Sequence, residues 1–403
     1  MEVRVCTNTE EMRAAFGPIW HYFGQLPPSE ERIKQFARVL EPQRVHAGLD
    51  GDSIVAGSGA FPFNLTVPGG QVKAAGVTVT GVLPTHRRRG YLSALMRALL
   101  DAARARGEPV AVLWATEDTI YGRFGYGMAS MAAEIDLPRE HTAMLGSLDV
   151  ASATRLVPLA EAEPLIAPIY DRVARATPGM FVRTPAWWQN RVLVDPDWRR
   201  GNAGHLRCAV LELGGKPSAY AFYRVNQTFE RGNSTGNIFV VEAIGDSPQA
   251  LQAIWRFLFG IDWLARMKAI FLPLDHPLLL WLKAPRRLNF LVREGLWVRL
   301  IDLAAALRAR GYASADAISI DVTDQFCPWN AGRWRICRAG VEKTEGPADL
   351  ACDVAALGSV YLGGFSFAEL ARALRVKELR AGAVARADAL FHSDRKPWCP
   401  ELF

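Results

Sequence analysis

The densest concentration of chemistry in the chain is the run Thr80-Gly81-Val82-Leu83-Pro84-Thr85-His86-Arg87-Arg88-Arg89-Gly90-Tyr91-Leu92-Ser93. A β-branched stretch ends where it starts, and a helical pattern begins where it ends, so three arginines and a glycine stand at a helix N-terminus. The first N–H groups of a helix lack intrahelical acceptors and carry the positive end of its dipole, which suits a pyrophosphate. Arginine side chains add charge-assisted hydrogen bonds to the same oxygens. A basic surface turn that only caps a helix has the same composition, and the loop alone does not separate the two readings. His86 within it is read as positional. A second cluster is Ala115-Thr116-Glu117-Asp118-Thr119-Ile120-Tyr121-Gly122-Arg123-Phe124-Gly125-Tyr126-Gly127. A phenol here is either a proton donor or a packed aromatic, and taken alone the packed reading is the simpler one. The third is the terminus, Lys396-Pro397-Trp398-Cys399-Pro400-Glu401-Leu402-Phe403. Two prolines stiffen it, and Trp398, Leu402 and Phe403 offer apolar anchors, unlike a frayed polar tail.

The elements that must position these groups read as follows. Gln71–Leu83 is rich in Val and Thr and predicts a strand. Tyr91–Arg106 places Leu92, Leu95, Met96, Leu99, Leu100 and Ala103 on one helical face, and Gly107 stands where a C-cap glycine belongs. Val110–Ala115 is a buried strand. Strand, loop, helix and strand in this order give an α/β unit with the loop at the strand's carboxyl end. Upstream, Arg32–Leu40 predicts a helix, and Val45–Leu49 and Ile54–Phe61 predict strands about the turn Asp50-Gly51-Asp52. A second region, from about Leu156 to Asp302, has helices near Pro164–Ala176 and Ala250–Met267. Its expected strands are His205–Leu213, Ser218–Val225, Asn237–Ala243 and Ala269–Pro273, with a hairpin turn at Gly214-Gly215-Lys216. The order echoes the first region without its Arg/Gly loop, as expected of a structural copy that binds no cofactor. A third region has helices at Leu303–Arg310 and Ser366–Leu374 and strands at Ile318–Val322 and Arg333–Arg338.

At roughly 100–200 residues per domain, the 403 residues predict two or three domains. Half of the residues are hydrophobic and 22% are charged, a globular balance. The net charge of +6 admits anionic ligands, but arginine is scattered and mostly reads as solvated surface, so neither nucleic acid nor membrane is expected as a partner. None of the six cysteines forms a CxxC pair, so no metal site is expected. The absence of a signal sequence or a run of about 18 apolar residues predicts a soluble, cytoplasmic protein with reduced thiols. No Walker-type loop, HExxH or GxSxG is present.

The first motif resembles the acetyl-CoA-binding pattern of GNAT enzymes, Arg/Gln-x-x-Gly-x-Gly/Ala after a strand, with Arg87, Gly90 and Leu92 at the fixed positions. Leu92 departs from the usual small residue, but Arg-Arg-Arg-Gly followed by bulky residues is similar to the enhanced-intracellular-survival (Eis) group of GNAT N-acetyltransferases. Gly295–Asp302, Asp324–Gly332, Gly358–Gly364 and Pro397–Pro400 resemble the same group, in order along nearly the whole chain. The resemblance implies an α/β (α+β) fold: two tandem GNAT-like mixed-sheet domains (1–150 and 151–300) and a sterol-carrier-protein-like α/β domain (301–403). It implies acetyl-CoA as co-substrate. Thr80, Gly81 and Val82 then bond the pantetheine arm, Arg88, Arg89, Gly90, Tyr91, Leu92 and Ser93 cradle the pyrophosphate, and Thr116 and Glu117 add contacts. Tyr121 becomes the acid that protonates the thiolate, with Tyr126 as a rival favoured for packing. The α-carboxylate of Phe403 becomes the base that takes the amine proton, the alternative being a structural plug. Acceptors are implied to be aminoglycosides, polyamines or lysine side chains, and the assembly a homo-hexamer. Trp20, His21, Tyr22, Phe23 and Phe36 can line an acceptor cleft, with Glu41 and Glu401 attracting a polycation. Trp187-Trp188 is read as core. A rival function is a lipid- or protein-binding module whose GNAT domain is inactive.

Overall fold

The computed structural model describes residues 1–148, 150–200 and 203–403. It divides into two compact units, one of Met1–Ser130, Leu296–Pro397 and Leu402–Phe403, the other of Met131–Gly295 and Trp398–Glu401.

In the first unit the strands β1 (Glu2–Val5), β2 (Val45–Asp50), β3 (Ser53–Val67), β4 (Gly70–Val82), β5 (Val110–Trp114) and β6 (Gly127–Met128) are joined by the distant strand Leu296–Leu300. This last strand is inserted between β5 and β6, completing a seven-stranded sheet. β1 to β4 run antiparallel as neighbours, whereas β4 and β5 are parallel and connected by the helix α3 (Tyr91–Ala105). A parallel pair requires such a crossover. α3 buries Leu95, Met96, Leu99, Leu100 and Ala103 against Ala60, Ala75, Val77, Ala111 and Leu113 of the sheet. Each such Leu or Met contributes about 1.5–3 kcal/mol by leaving water.

On the sheet's other connections lie α1 (Thr9–Tyr22), which the sequence reading missed, and α2 (Glu30–Ala37). Asn8 caps α1 by accepting from the N–H groups of Glu10 and Glu11, which also place negative charge in the first turn. Met12, Ala15, Phe16, Ile19 and Trp20 form its buried face. Pro18 within α1 hid the helix, since an interior proline normally argues against one.

The third region belongs to the same unit. Its five-stranded sheet has the order Gly340–Lys343, Gly332–Cys337, Ala317–Thr323, Leu350–Asp353, Val376–Glu378. It is fixed to the first sheet by a buried ion pair: Nη2 of Arg299, on the inserted strand, lies 2.9 and 2.7 Å from the two carboxylate oxygens of Asp324. Asn330 donates to the carbonyls of Leu300 and Ile301 and accepts from the N–H of Leu303. The Trp329 indole also donates to Ile301, and Arg97 and Arg104 of α3 lie over the rings of Phe326 and Trp329 at 3.9 and 4.4 Å.

The second unit has its own seven-stranded sheet, ordered Leu291–Glu294, Met131–Pro138, Arg266–Leu272, Asn237–Gly245, Lys216–Asn226, Arg207–Leu213, Ser152–Val157. Its parallel pair, Asn237–Gly245 with Arg266–Leu272, is joined by the helix Pro248–Phe259. That helix was expected to reach Met267; it stops at Phe259, and Met267 lies in the next strand. Sheet membership does not follow chain order: Met131–Pro138 pairs in the second unit's sheet and Leu296–Leu300 in the first unit's. Hydrophobic alternation marks both as strands but carries no information about their partners.

Arg299→Met leaves the Asp324 side chain, only 1% exposed, without its cation. Chemical unfolding followed by tryptophan fluorescence should show a loss of about 3–5 kcal/mol, partly recovered on adding Asp324→Asn, because no unpaired charge then remains buried.

Candidate active site

β4 is paired to β3 along its length but to β5 only at Ala74, Ala75 and Gly76. From Val77 to Val82 no strand pairs with its other edge among the described residues. Unpaired backbone at a sheet opening is a ready set of donors and acceptors for an extended ligand. Within this stretch the register slips: Gly57 faces Gly81 and Gly59 faces Thr78, so Ser58 alone stands opposite Val79 and Thr80. This is a β-bulge. Val79 has φ +47°, an outlier for a β-branched residue and a form of strain that concentrates at functional sites. Gly81 has a separate reason: a Cβ there would lie 2.7 Å from the backbone nitrogen of Ile19, because α1 crosses directly over the strand. The carbonyl of Val82 accepts a 2.9 Å hydrogen bond from the phenol of Tyr22.

The loop after β4 turns through left-handed conformations at Arg88 (φ +62°) and Gly90 (φ +89°). Glycine adopts the latter without strain. Asn8, Ser29, Ser247, Asp302, Asp353 and Ser366 cap other helices with their side chains, but α3 begins at Gly90 with no side-chain cap. The helices after Pro158 and Gly382 are uncapped too, so the arginines are what distinguish α3. Arg87, Arg88, Arg89, Gly90 and Ser93 are exposed there. Arg89 lies 3.6 Å from Asp50. His86 is held between Asp50 at 3.0 Å and the Thr85 hydroxyl at 2.8 Å, a positional arrangement. The Tyr91 ring is buried and its hydroxyl donates to the Leu49 carbonyl, while Leu92 packs at the edge of the core under α3. Both of these therefore offer a ligand only backbone.

Beyond β5, Thr116 and Glu117 are exposed, and Glu117 accepts from Thr119. The short helix α4 (Asp118–Tyr121) follows. Tyr121 is buried; burial holds its pKa above the usual value, and the nearby Thr80 side chain opposes the rise. Tyr126 packs edge-on to Tyr121 at 5.9 Å. It is deeper, its hydroxyl 3.6 Å from the Met96 sulfur, and burial raises its pKa further. Of the two phenols, Tyr121 is the one beside the open stretch of β4.

Three regions match domain families: residues 3–129 and 179–300 match acetyltransferase (GNAT) domains, and 303–400 a sterol carrier protein domain. The chain is 40% identical to an uncharacterized N-acetyltransferase of Streptomyces coelicolor over 100% of both chains. It is 33% identical to the N-acetyltransferase Eis of Mycobacterium tuberculosis over 85% of this chain and 84% of that one. The chain belongs to the Eis family of GNAT N-acetyltransferases. It is thus an acetyltransferase with two GNAT domains and a sterol-carrier-like domain. The crystal structure of Eis1 from Mycobacterium abscessus superposes with a TM-score of 0.86 over 100% of both chains, at 33% identity. A GCN5-related N-acetyltransferase from Anabaena variabilis shares the fold at 20% identity, with a TM-score of 0.83 over 100% of both chains.

Within the Eis-family first unit, the ring of Phe403 packs edge-on against Phe63 at 4.9 Å. Phe63 in turn covers Gly76, where β4 and β5 part. Other expectations need correction. Glu401 does not face a cationic ligand: it pairs with Arg183 at 2.6 Å and accepts from the Trp187 indole. Arg183 also binds Glu242 and lies over the rings of Tyr170 and Trp188, so Trp187-Trp188 is core. Trp20 and Phe36 are buried in an aromatic cluster with Phe16 rather than lining a cleft, whereas His21, Tyr22, Phe23 and Glu41 are exposed. Ser58, Phe63 and the contact of Tyr22 with Val82 were missed. The small-residue run Ala56-Gly57-Ser58-Gly59-Ala60 was the one sequence signal of a close approach here. Among the described residues no cluster of His, Cys, Asp and Glu could hold a metal, and no helix is long and apolar enough to cross a membrane.

Gly81→Ala drives a methyl into the α1 backbone. It should lower stability by about 1–3 kcal/mol, read as a fall in Tm, whether or not a ligand is bound.

Proposed function

We propose that the chain transfers an acetyl group directly from acetyl-CoA to a primary amine. The observation that carries this is the open stretch of β4, flanked by the uncapped, arginine-bearing N-terminus of α3 and by the Tyr121 phenol. The groups present fit acetyl-CoA: Arg88, Arg89 and the N–H groups of Tyr91, Leu92 and Ser93 would hold the pyrophosphate, and the backbone of Thr80, Gly81 and Val82 the pantetheine arm. Thr116 and Glu117 would add contacts from the loop after β5. Bound there, acetyl-CoA supplies a thioester whose acyl transfer releases a thiolate, and Tyr121 gives it a proton. The amine, with a pKa of about 10.4 when lysine-like, must first lose its own proton. The α-carboxylate of Phe403 is the base in this reading, supported by the seating of its ring on Phe63. Backbone of β4 near Val82 would polarise the carbonyl.

Aminoglycosides, polyamines and lysine side chains are the acceptors we favour, and a homo-hexamer in the cytoplasm the form in which the enzyme works. Our division of the chain is 1–150 for catalysis, 151–300 for a GNAT domain without a cofactor site, and 301–403 for the sterol-carrier-like domain. The silent second site is supported by its helix start: Ser247 already caps Ala250, and no run of arginines precedes it.

Thiol release from acetyl-CoA, screened against a panel of amines, tests the activity; no turnover and no thermal stabilisation by millimolar acetyl-CoA would favour a binding module instead. Tyr121→Phe should lower kcat by about 10²–10⁴-fold with cofactor binding retained; full turnover in that variant would exclude Tyr121 as the acid. A Gly-Ser extension after Phe403 replaces its carboxylate by an amide. It should depress turnover by on the order of 10²-fold at unchanged Tm, since about 1 Å of displacement costs that much; wild-type turnover in the extended protein would remove the carboxylate as base.

A further inference from the structure

The terminal residue has a built seat. Gly76 is the last residue at which β4 pairs with β5, opposite Val112. A Cβ there would lie 2.1 Å from Cε2 and 2.5 Å from Cδ2 of Phe63, so the Phe63 ring rests directly on the Gly76 backbone. A glycine inside a strand gives up side-chain packing and marks a close approach. Phe61, fully buried, stacks beside the Phe63 ring at 5.6 Å, and Phe63 itself is 6% exposed. The Phe403 ring then stands edge-on to Phe63, with centroids 4.9 Å apart and planes at 81°. Gly76, Phe63 and Phe403 are thus layered over the point where the two strands part.

Alternation shows which face of the sheet carries this stack. Ala60 of β3 and Ala75 and Val77 of β4 belong to the core under α3. Side chains alternate along a strand, so Phe61, Phe63 and position 76 look to the other face. Tyr121 belongs to the core under α3. The seat of the terminus and the phenol therefore lie on opposite faces at the opening. Chain ends fray unless tied down. The carboxylate of Phe403 shares its Cα with the side chain that carries the ring, so it is held where the ring is held.

We propose that Phe63, seated on Gly76, is a positioning residue for the base: it fixes the terminal ring, and through it the terminal carboxylate, at the parting of β4 and β5. This rests on the reading of the Phe403 carboxylate as the base. In the step it serves, the carboxylate takes one proton from the ammonium, so an N–H bond breaks and an O–H bond forms. The freed nitrogen pair forms the C–N bond as the C–S bond breaks, and Tyr121 protonates the sulfur. The second N–H proton restores the phenol through water, and the carboxylic acid returns its proton to solvent. Without the Phe63 ring the terminus loses its seat, and the amine must lose its first proton unaided.

The test uses the full chain and thiol release from acetyl-CoA, with the amine of highest wild-type turnover in a panel of aminoglycosides, polyamines and lysine peptides. Phe63→Leu and Phe63→Ala should lower kcat at neutral pH by about 10–10²-fold, since about 1 Å of misplacement can cost that much, with acetyl-CoA affinity unchanged. The loss should shrink as pH rises toward about 10.4, where a lysine-like amine deprotonates by itself. Gly76→Ala should lower kcat likewise and lower Tm, because its methyl displaces the ring. In a Phe63→Ala background the same methyl fills vacated space, so Tm should not fall while kcat stays low. In the protein extended by Gly-Ser after Phe403, Phe63→Leu should have no further effect on kcat. Wild-type kcat in both Phe63 variants beside a slow extended protein overturns the role of Phe63. A loss equal at every pH, or one repeated in the extended protein, also overturns it, by showing a merely structural contribution. Wild-type turnover in the extended protein instead overturns the assignment of the base beneath it.

Discussion

The parting of β4 from β5 after Gly76 is the constraint on which the rest of the first unit turns. A parallel pair that stayed zipped would satisfy the backbone of Val77 to Val82 internally and leave nothing for a ligand. Because it opens, the carboxyl end of β4, the start of α3 and the loop after β5 converge on one unsaturated edge, the place where open α/β sheets bind their ligands. The sheet tolerates the opening because β4 keeps its full antiparallel ladder with β3 on the other side. α1 closes over that ladder so tightly that Gly81 admits no side chain.

Much of what the family motifs encode is architecture. Asp324, Phe326, Trp329 and Asn330 hold the frame: Asp324 pairs with Nη2 of the buried Arg299, Phe326 and Trp329 pack against the arginines of α3, and Asn330 bonds the backbone that ends the inserted strand. Tyr361, in the run Gly358–Gly364, likewise donates to the Ala306 carbonyl. A buried arginine between two sheets is tolerable only when its carboxylate is fixed beside it, because either charge left alone costs several kcal/mol. The spacing of these residues along the chain thus reports one desolvated ion pair and its support.

The two parallel β–α–β units differ at the start of their helices. Both have a strand, a helix and a parallel strand. The first begins its helix with Gly90 after three arginines; the second begins with a Ser247 cap beside Asp246. The Ser247 cap takes up one of the free N–H groups at its helix start, and no arginine run stands before it.

By itself the sequence determined the local events: the strand before the Arg/Gly loop, the amphipathic α3, the tyrosine after β5 and the anchored terminus. Each is written in spacing and residue type over a few turns of chain, where sterics and burial act directly on neighbours. Only the tertiary structure decided which sheets Met131–Pro138 and Leu296–Leu300 join, because strand pairing is chosen by surfaces far apart in sequence. The same holds for Glu401, which composition left exposed to a cation and which the fold pairs with Arg183. It holds most of all for Ser58 and Val79. A one-residue slip between β3 and β4 leaves no mark on hydrophobic pattern, yet it turns Thr80 toward Ser58, because side-chain direction in a strand depends on parity and a bulge reverses it.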